Sequence, residues 1–295
     1  MKNPEISIIV PIYNTSNYLS ECLNSIKCQT FDDFEVILID DGSTDNSNDI
    51  CNTFCRTDSR FKLFSKKNGG VASARNEGLV RASGKYIAWV DSDDTIDSTY
   101  IESMYQVANR THNPVIVLQN KNTILDKQVI EGKEIIIDFL SGLFPSNMWS
   151  TLFLRNSYKG LQFKAYHIGE DSMMLIDLFS NINKISLIYN KGYNYRENPN
   201  SITRNKNPEI TQSWINEVNE QNRIVASRFP YAQSIMSYKT VMFAFGIIGN
   251  NTDDYLCNQA RDMIKKNRGG IKLHRLTKHQ IFELVKALFR YYKKN

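Results

Sequence analysis

Apolar runs alternate with helix-like periodicity over the first two fifths of the chain. Residues Ile6 to Val10 and Phe34 to Ile39 are nearly continuous apolar, β-branched runs that end in polar turn residues. Such runs are typical of strands buried on both faces of a parallel sheet. Between them, apolar residues recur at the spacing of one helix face: Tyr18, Leu19, Cys22, Leu23 and Ile26. The pattern predicts a strand, helix and strand crossover unit, and hence an α/β fold with a mostly parallel sheet.

The alternation continues downstream and then gives way to helices. We predict helices over 45–54, 72–82 and 99–108, and strands over 61–64, 86–90, 115–118 and 185–189. From Pro208 onward the spacing indicates helices over 209–227, 238–249 and 255–266. We therefore expect three parts, residues 1–110, 111–205 and 206–295, the last of them a helical extension.

Composition argues against a membrane-spanning or disulfide-built protein. The longest apolar stretches, such as Ile6 to Tyr13 and Met242 to Ile248, are well short of the roughly 20 residues that span a bilayer. The start of the chain lacks the apolar core of a secretory signal. The five cysteines show no CxxC spacing, so we expect reduced thiols. These features predict a cytoplasmic protein.

Positive charge is concentrated at the end of the chain. Met263 to Asn295 carries a net charge of +9, whereas the whole chain carries +5 and the rest is therefore mildly acidic. The last helix places seven apolar residues on one face, with basic residues elsewhere: Ile281, Phe282, Leu284, Val285, Leu288, Phe289 and Tyr292. Two interpretations stay open, a helix packed on the body and a helix that binds an anionic membrane surface.

Three carboxylates follow the strand predicted over 86–90, in the sequence Asp91-Ser92-Asp93-Asp94. Ligands of open α/β sheets bind beyond the carboxyl ends of the strands. Carboxylate oxygens are the ligands that Mg²⁺ and Mn²⁺ prefer. A capping turn explains one aspartate but not three, because adjacent like charges repel unless a cation joins them.

Two further polar clusters, which precede Asp91 in the sequence, are expected at the same carboxyl edge of the sheet. Asp40-Asp41-Gly42-Ser43 can accept hydrogen bonds from a base or ribose, although helix capping is a rival role. Asn68 to Asn76 is a glycine-rich turn that enters a helix, and within it Arg75 faces a phosphate or a carboxylate.

Together with Val10 to Asn14, these segments resemble the family 2 glycosyltransferases of the GT-A fold. The resemblance covers the first two fifths strongly and extends more weakly to about Thr203. It implies that 1–110 is the nucleotide-sugar-binding half of a GT-A domain and 111–205 the acceptor and catalytic-base half. The residues that it assigns to the nucleotide sugar are Pro11, Tyr13, Asp41, Asn68, Gly70, Arg75, Asp91 and Ser92.

The resemblance also implies a metal, a base and an acceptor site. Asp91 and Asp93 match the DxD motif, so they would hold Mn²⁺ or Mg²⁺, with Asp93 as the direct ligand. Glu170-Asp171 looks like the acidic pair that opens a helix on the acceptor side, and Asp171 is the candidate general base, while Glu170 is expected to point elsewhere. Favourable first-turn charges at a helix N-terminus are the alternative explanation for this pair. Trp149, Asp94 and Glu170 are assigned to the acceptor, with loop support an alternative for Asp94.

Two features limit what the family resemblance implies for individual residues. The family often has Trp-x-Lys-Leu-Tyr-Arg where this chain has Trp149 to Leu154, so Thr151 replaces the usual lysine. Tyr195 and Arg196 either reach the diphosphate or pack, and His167 is left out of the metal shell.

We therefore predict a metal-dependent inverting glycosyltransferase that uses a nucleotide diphosphate sugar. A uridine nucleotide is favoured over a thymidine one, and the acceptor is a lipid-linked or protein-linked glycan. We expect no nucleic-acid partner and leave self-association open. The rival functions are a nucleotidyltransferase and a GT-A binding module at the membrane that has lost catalysis. Neither a triad nor a P-loop motif is present in the sequence.

Overall fold

The computed structural model describes residues 3–119, 128–166, 168–189, 192–196, 207–250 and 253–294, and of 292–294 the backbone only. The chain forms two compact units. The first comprises residues 1–135, 143–165 and 170–198, and the second comprises 136–142, 166–169 and 199–295.

The first unit contains an eight-stranded, mostly parallel sheet with the strand order β3-β2-β1-β4-β8-β6-β9-β7. Its strands are β1 (Ile6–Ile12), β2 (Phe34–Asp40), β3 (Phe61–Ser65), β4 (Tyr86–Trp89), β6 (Val115–Leu118), β7 (Val129–Glu131), β8 (Thr151–Leu154) and β9 (Lys184–Ile188). Strands β5 (Thr95–Ile96) and β10 (Tyr193–Asn194) form a separate antiparallel pair. The predicted α/β class with a mostly parallel sheet is confirmed.

Helices cover both faces of the central strands. The helices of this unit are α1 (Ser16–Lys27), α2 (Ser47–Thr57), α3 (Val71–Arg81), α4 (Tyr100–Thr111) and α6 (Glu170–Ser180). Ile8 and Val10 face the core formed with α1, α2 and α4. Ile9 faces the other way, where a Cβ on Gly78 of α3 would lie 2.3 Å from its Cγ2 atom. Because both faces of β1 are buried, its sequence is apolar throughout.

The first two strands begin around a buried carboxylate. Glu35 is 3% exposed and accepts hydrogen bonds from the Ser7 hydroxyl and from the backbone N–H and hydroxyl of Ser83. The Lys62 ammonium, on β3, lies 2.6 Å from its other oxygen. Burial raises the pKa of Glu35, but these donors outweigh it and lower the pKa to about 2.

The second unit is built mainly from α7 (Pro208–Arg228), α8 (Gln233–Asn250), α9 (Asp254–Asn267) and α10 (Lys278–Lys294). Local sequence explains two of the helix starts. The Asn207 side chain accepts from the Ile210 N–H, with Pro208 at the first position, and Asp253 caps α9 in the same way. In the described parts of the chain, no helix is both long and apolar enough to cross a membrane.

Several elements were not predicted from sequence. Strand β8 lies between β4 and β6 and runs antiparallel to both, and β5, β7, β10 and α5 (Glu134–Leu140) were also missed. The five cysteines are free thiols. Cys22, Cys51 and Cys257 are buried, Cys55 is partly buried and Cys28 is exposed.

Candidate active site

The loops after β1 and β2 are tied together at the carboxyl edge of the sheet. Asn14 adopts a left-handed conformation with φ of 52°, which asparagine tolerates well. Its backbone N–H donates to the Ser43 hydroxyl at 3.1 Å, and its side-chain oxygen accepts from the Thr44 N–H at 2.8 Å. The Thr15 hydroxyl donates to Ser92 at 3.1 Å, so the loop after β4 joins the same edge.

The glycine-rich turn is held by Asp41. This carboxylate, 2% exposed, accepts from the backbone N–H of Gly70 at 2.7 Å and of Gly69 at 3.1 Å. The Lys66 ammonium lies 2.6 Å away. Gly42 permits the arrangement, because its φ is +76° and a Cβ there would lie 2.9 Å from the Asn68 backbone nitrogen. These contacts hold the turn that enters α3 in place.

The remaining residues assigned to the nucleotide sugar line these loops. Pro11 and Ser92 are buried, whereas Tyr13 is half exposed. Asn68 and Gly70 are exposed. Of these five residues, Tyr13, Asn68 and Gly70 are therefore the ones that a ligand can reach directly. The role of each as a ligand contact stays a prediction.

Asp94 supports its own loop. It is 1% exposed, and its two oxygens accept from the Tyr193 hydroxyl and the Arg196 backbone N–H, at 2.7 and 2.8 Å. Tyr193 in turn accepts from the Asp91 backbone N–H at 3.1 Å. Burial raises the pKa of Asp94 to about 7. Of the two roles considered for Asp94, the geometry favours loop support over acceptor contact.

Arg196 packs on the same loop. Its Nε donates to the Asp93 carbonyl at 2.9 Å, and its guanidinium pairs with Glu21. Tyr195 is half exposed. His167 and residues 201–203 lie outside the described residues.

The oxygens of Asp91 and Asp93 fit a divalent cation only in company with other ligands. Among the residues described, no group of three or more His, Cys, Asp or Glu side chains could hold a metal ion. Asp91 is 31% exposed and Asp93 is partly exposed, so both carboxylates are partly buried but within reach of a ligand. Two carboxylates that leave coordination positions for phosphate oxygens are a suitable donor set for Mg²⁺ or Mn²⁺.

Arg75 joins the donor-side and acceptor-side carboxylates. Its guanidinium is 5% exposed and lies 3.3 Å from Asp91 and 2.6 Å from Glu170, and it also pairs with Asp171. Of the two partners considered for Arg75, the structure shows carboxylates. Glu170 was expected to point away from Asp171. That expectation is wrong, because both carboxylates pair with the Arg75 guanidinium.

Burial shifts the pKa of two carboxyl groups in this cluster, those of Asp171 and Asp91. Burial raises the pKa of Asp171 to about 7; Arg75 opposes the rise, and Glu170 and Asp91 add to it. Burial also raises the pKa of Asp91, against the effect of Arg75. The Met148 backbone N–H donates to Asp171 at 3.1 Å. Asp171 is therefore oriented by two donors and titrates near neutral pH.

Trp149 stacks on Tyr193, with ring centroids 4.1 Å apart and planes at 11°. One face of its ring is therefore occupied by protein. Its backbone carbonyl accepts from the Tyr100 hydroxyl at 2.6 Å. Its indole N–H is buried without a hydrogen-bond partner in the described structure. Contact between Trp149 and a sugar stays a prediction.

Sequence reasoning missed Lys66, Tyr193 and Met148 as parts of the site. Lys66 lies just before the glycine-rich turn, so its charge beside Asp41 could have been suspected. Tyr193 acts from about 100 positions away on a two-residue strand, and Met148 acts through its backbone. The last two leave no local signal in the sequence.

A known protein family and several known glycosyltransferases are similar to this chain. The model of the family described as Glycosyl transferase family 2 matches residues 7–169. The glycosyltransferase GlyG of Streptococcus pneumoniae is 32% identical over 237 residues, which cover 73% of this chain and 77% of GlyG. GlyA of the same organism is 27% identical over 81% of this chain, and the match spans 37% of GlyA.

Two solved structures share the fold. S. aureus TarS, residues 1–349 in complex with UDP-GlcNAc, superposes with a TM-score of 0.68 at 19% identity, over 92% of this chain and 82% of that one. The mannosyltransferase PcManGT from Pyrobaculum calidifontis, in complex with GDP-Man and Mn²⁺, superposes with a TM-score of 0.59 at 14% identity, over 99% of this chain and 83% of that one. The family model covers more than half of the chain, and GlyG exceeds 30% identity over three quarters of its own length. The chain therefore belongs to glycosyltransferase family 2, and it is a glycosyltransferase of the GT-A fold.

Proposed function

We propose that the chain transfers a sugar from a uridine diphosphate sugar to a hydroxyl of a glycan acceptor, with a divalent metal bound and with inversion of the anomeric carbon. One observation carries the proposal. The Arg75 guanidinium pairs with Asp91 after β4 and with Glu170 and Asp171 at the start of α6. A sugar held beside Asp91 is thereby within reach of a base on α6.

Asp171 is the base in this proposal. It accepts the proton of the acceptor hydroxyl as that oxygen attacks the anomeric carbon, and the nucleoside diphosphate leaves from the opposite face. A single displacement of this kind inverts the configuration. The pKa of about 7 supports the assignment, because general bases work best when their pKa lies near the operating pH. Arg75 and the Met148 N–H hold the carboxylate in place.

Asp91 and Asp93 are the residues proposed to hold Mn²⁺ or Mg²⁺. When bound, the ion neutralises charge on the departing diphosphate. The solved complex of PcManGT with Mn²⁺ supports the choice of metal. We place Trp149 and Glu170 near the acceptor and Asp94 in support of the donor loop.

The donor and acceptor follow from chemistry and from relatives. A uridine nucleotide is proposed because the family resemblance assigns Asp41 to the nucleotide and because TarS was solved with UDP-GlcNAc. The acceptor is proposed to be a lipid-linked or protein-linked glycan near an anionic membrane, to which the tail of +9 charge would be attracted. Membership of the family sets aside the nucleotidyltransferase alternative, and a family member that has lost catalysis is the remaining rival.

Release of nucleoside diphosphate from UDP-, GDP- and dTDP-sugars tests the proposal, each with Mn²⁺ and with excess chelator. We expect turnover of a UDP-sugar that needs the metal. Asp93→Ala should abolish it, whereas Asp97→Ala, a loop carboxylate that binds Asn194, should retain it. Turnover in chelator would contradict the metal, and no turnover of any donor would favour the lost-catalysis rival. A product that retains the donor configuration would exclude single displacement.

A further inference from the structure

Helix α10 has two apolar faces rather than the single one that its sequence suggests. Leu284 is 6% exposed, and the Tyr291 ring packs on Phe245 of α8 with centroids 5.3 Å apart. The partly buried Ile281 and Leu288 belong to this packed side. These residues fix α10 to its own unit.

A second group of apolar side chains points to solvent. Phe282 is 62% exposed, Val285 59% and Phe289 71%. At about 100° per residue, these three positions fall within about 60° of one another around the helix. We call them the aromatic stripe. Leu273, in the turn before α10, is also exposed at 55%.

Basic residues border the aromatic stripe. Lys278, Lys286 and Arg290 are exposed on α10, and the segment before the helix adds exposed Lys272 and Arg275. The acidic residue of the tail, Glu283, is paired with Lys286 at 3.3 Å. The surface therefore combines large apolar side chains with a strong positive excess.

We propose that the aromatic stripe and its border of basic residues form the membrane-binding surface of the protein, and that the partner is an anionic lipid bilayer. Phe282, Val285 and Phe289 insert among the lipid headgroups, while the lysine and arginine side chains extend to lipid phosphates. Helices that lie in a membrane interface have this arrangement of apolar and basic residues.

Charge and exposed apolar side chains favour a lipid surface over other partners. A second copy of the chain would bring the same positive tail against this one, and like charges would repel. Nucleic acid would satisfy the basic residues but would leave the stripe exposed to water. An anionic bilayer satisfies both, because its surface attracts cations and its interior accepts Phe and Val side chains. The inference deepens the membrane part of the proposed function and is independent of the sugar chemistry.

Sedimentation of the full chain with vesicles tests the surface. We expect binding to vesicles of 30% phosphatidylglycerol in phosphatidylcholine and little binding to pure phosphatidylcholine. Phe282→Ser with Phe289→Ser should weaken binding about a hundredfold, since burial of each phenylalanine side chain contributes strongly. Lys286→Gln with Arg290→Gln should weaken it about thirtyfold at low salt.

Matched controls come from the first unit. Val80→Ser removes a side chain that is 79% exposed on α3, and Lys27→Gln with Arg56→Gln makes the same change of charge at two exposed positions. Both controls should bind like the wild type. Transfer to a soluble acceptor should be unchanged in all variants, so a failure here is distinct from a failure of the proposed activity. Equal binding to neutral vesicles, unchanged binding in both tail variants, or a dimer lost in the phenylalanine variants without vesicle binding would each overturn the proposal.

Discussion

At the residue scale, the pKa of Asp171 leads to a prediction about pH. The base must be deprotonated to act, and burial raises its pKa to about 7. The turnover number should therefore fall about tenfold for each pH unit below 7 and level off above it. Asp171→Asn should lower transfer by about 10² to 10⁴ and remove this limb, with donor affinity retained.

Glu170→Gln is the matched control for that variant, because Glu170 has the same side-chain exposure of 14% and shares Arg75. This variant removes one of the carboxylates that pair with Arg75 but keeps Asp171, the proposed base. It should keep the acid limb and most of the activity. A larger loss in Glu170→Gln than in Asp171→Asn, at equal stability, would move the role of base to Glu170.

Arg75 should matter to stability as well as to catalysis. Removing one partner of a buried ion pair leaves uncompensated buried charge and typically costs about 3 to 5 kcal/mol. Arg75→Gln should lower the free energy of unfolding by about that amount, measured by urea titration. Arg81→Gln, on the same helix, breaks an exposed pair with Glu77 and should cost under about 1 kcal/mol. Similar losses in both variants would contradict the buried cluster.

The role of Arg75 also shows where sequence reasoning stops. Its position in a glycine-rich turn indicated an anionic partner, and that was confirmed. Which anion could not be read, because Glu170 lies 95 positions away and no local pattern joins the two. Polar clusters at strand ends are visible in sequence, whereas their cross-links depend on the folded sheet.

At the scale of elements, the turn after β2 depends on Gly42. An alanine there would be strained at φ +76° and would place its Cβ 2.9 Å from the Asn68 nitrogen. Gly42→Ala should displace the glycine-rich turn and weaken nucleotide binding in calorimetry. Gly132→Ala tests strain alone, because its φ is +60° and nothing lies within 4 Å. It should leave nucleotide binding unchanged, and equal losses in the two variants would show that the close approach is unimportant.

Elements were predictable where burial imposes a pattern on enough residues. Strands β1 and β2 are buried over seven residues, and their apolar runs identified them. Strand β8 is a four-residue run that directly follows a 3₁₀ turn, and β5 and β10 have two residues each. A run of two residues carries no period, so the pairing of β5 with β10 follows from tertiary structure alone. Strand β8 is as short as β4 and β6, which the apolar pattern did identify.

At the scale of the whole molecule, Glu35 links stability to acid. Its pKa is lowered from 4.5 to about 2 on folding, so its contribution is present above pH 4.5 and is lost as the pH falls toward 2. A shift of this size corresponds to about 3 kcal/mol. Glu35→Gln should therefore be less stable than the wild type at pH 7 by about that amount. The difference in the free energy of unfolding between the two proteins, measured by urea titration, should shrink near pH 2. A difference that stays constant with pH would contradict the lowered pKa of Glu35.

The distribution of thiols makes the molecule easy to label at one point. Cys22, Cys51 and Cys257 are buried, and Cys55 is partly buried. Burial also raises the pKa of Cys22, of Cys55 and of Cys51, the last to about 12, which makes these three thiols poor nucleophiles. Brief treatment with a maleimide dye at pH 7 should add one label, at Cys28, and Cys28→Ser should abolish it in mass spectrometry. Cys28 follows the end of α1, whose first residue, Ser16, donates its backbone N–H to Asp45 at the carboxyl edge of the sheet. Twelve helical residues separate the two by about 18 Å, so a fluorophore there can report on donor binding without blocking it.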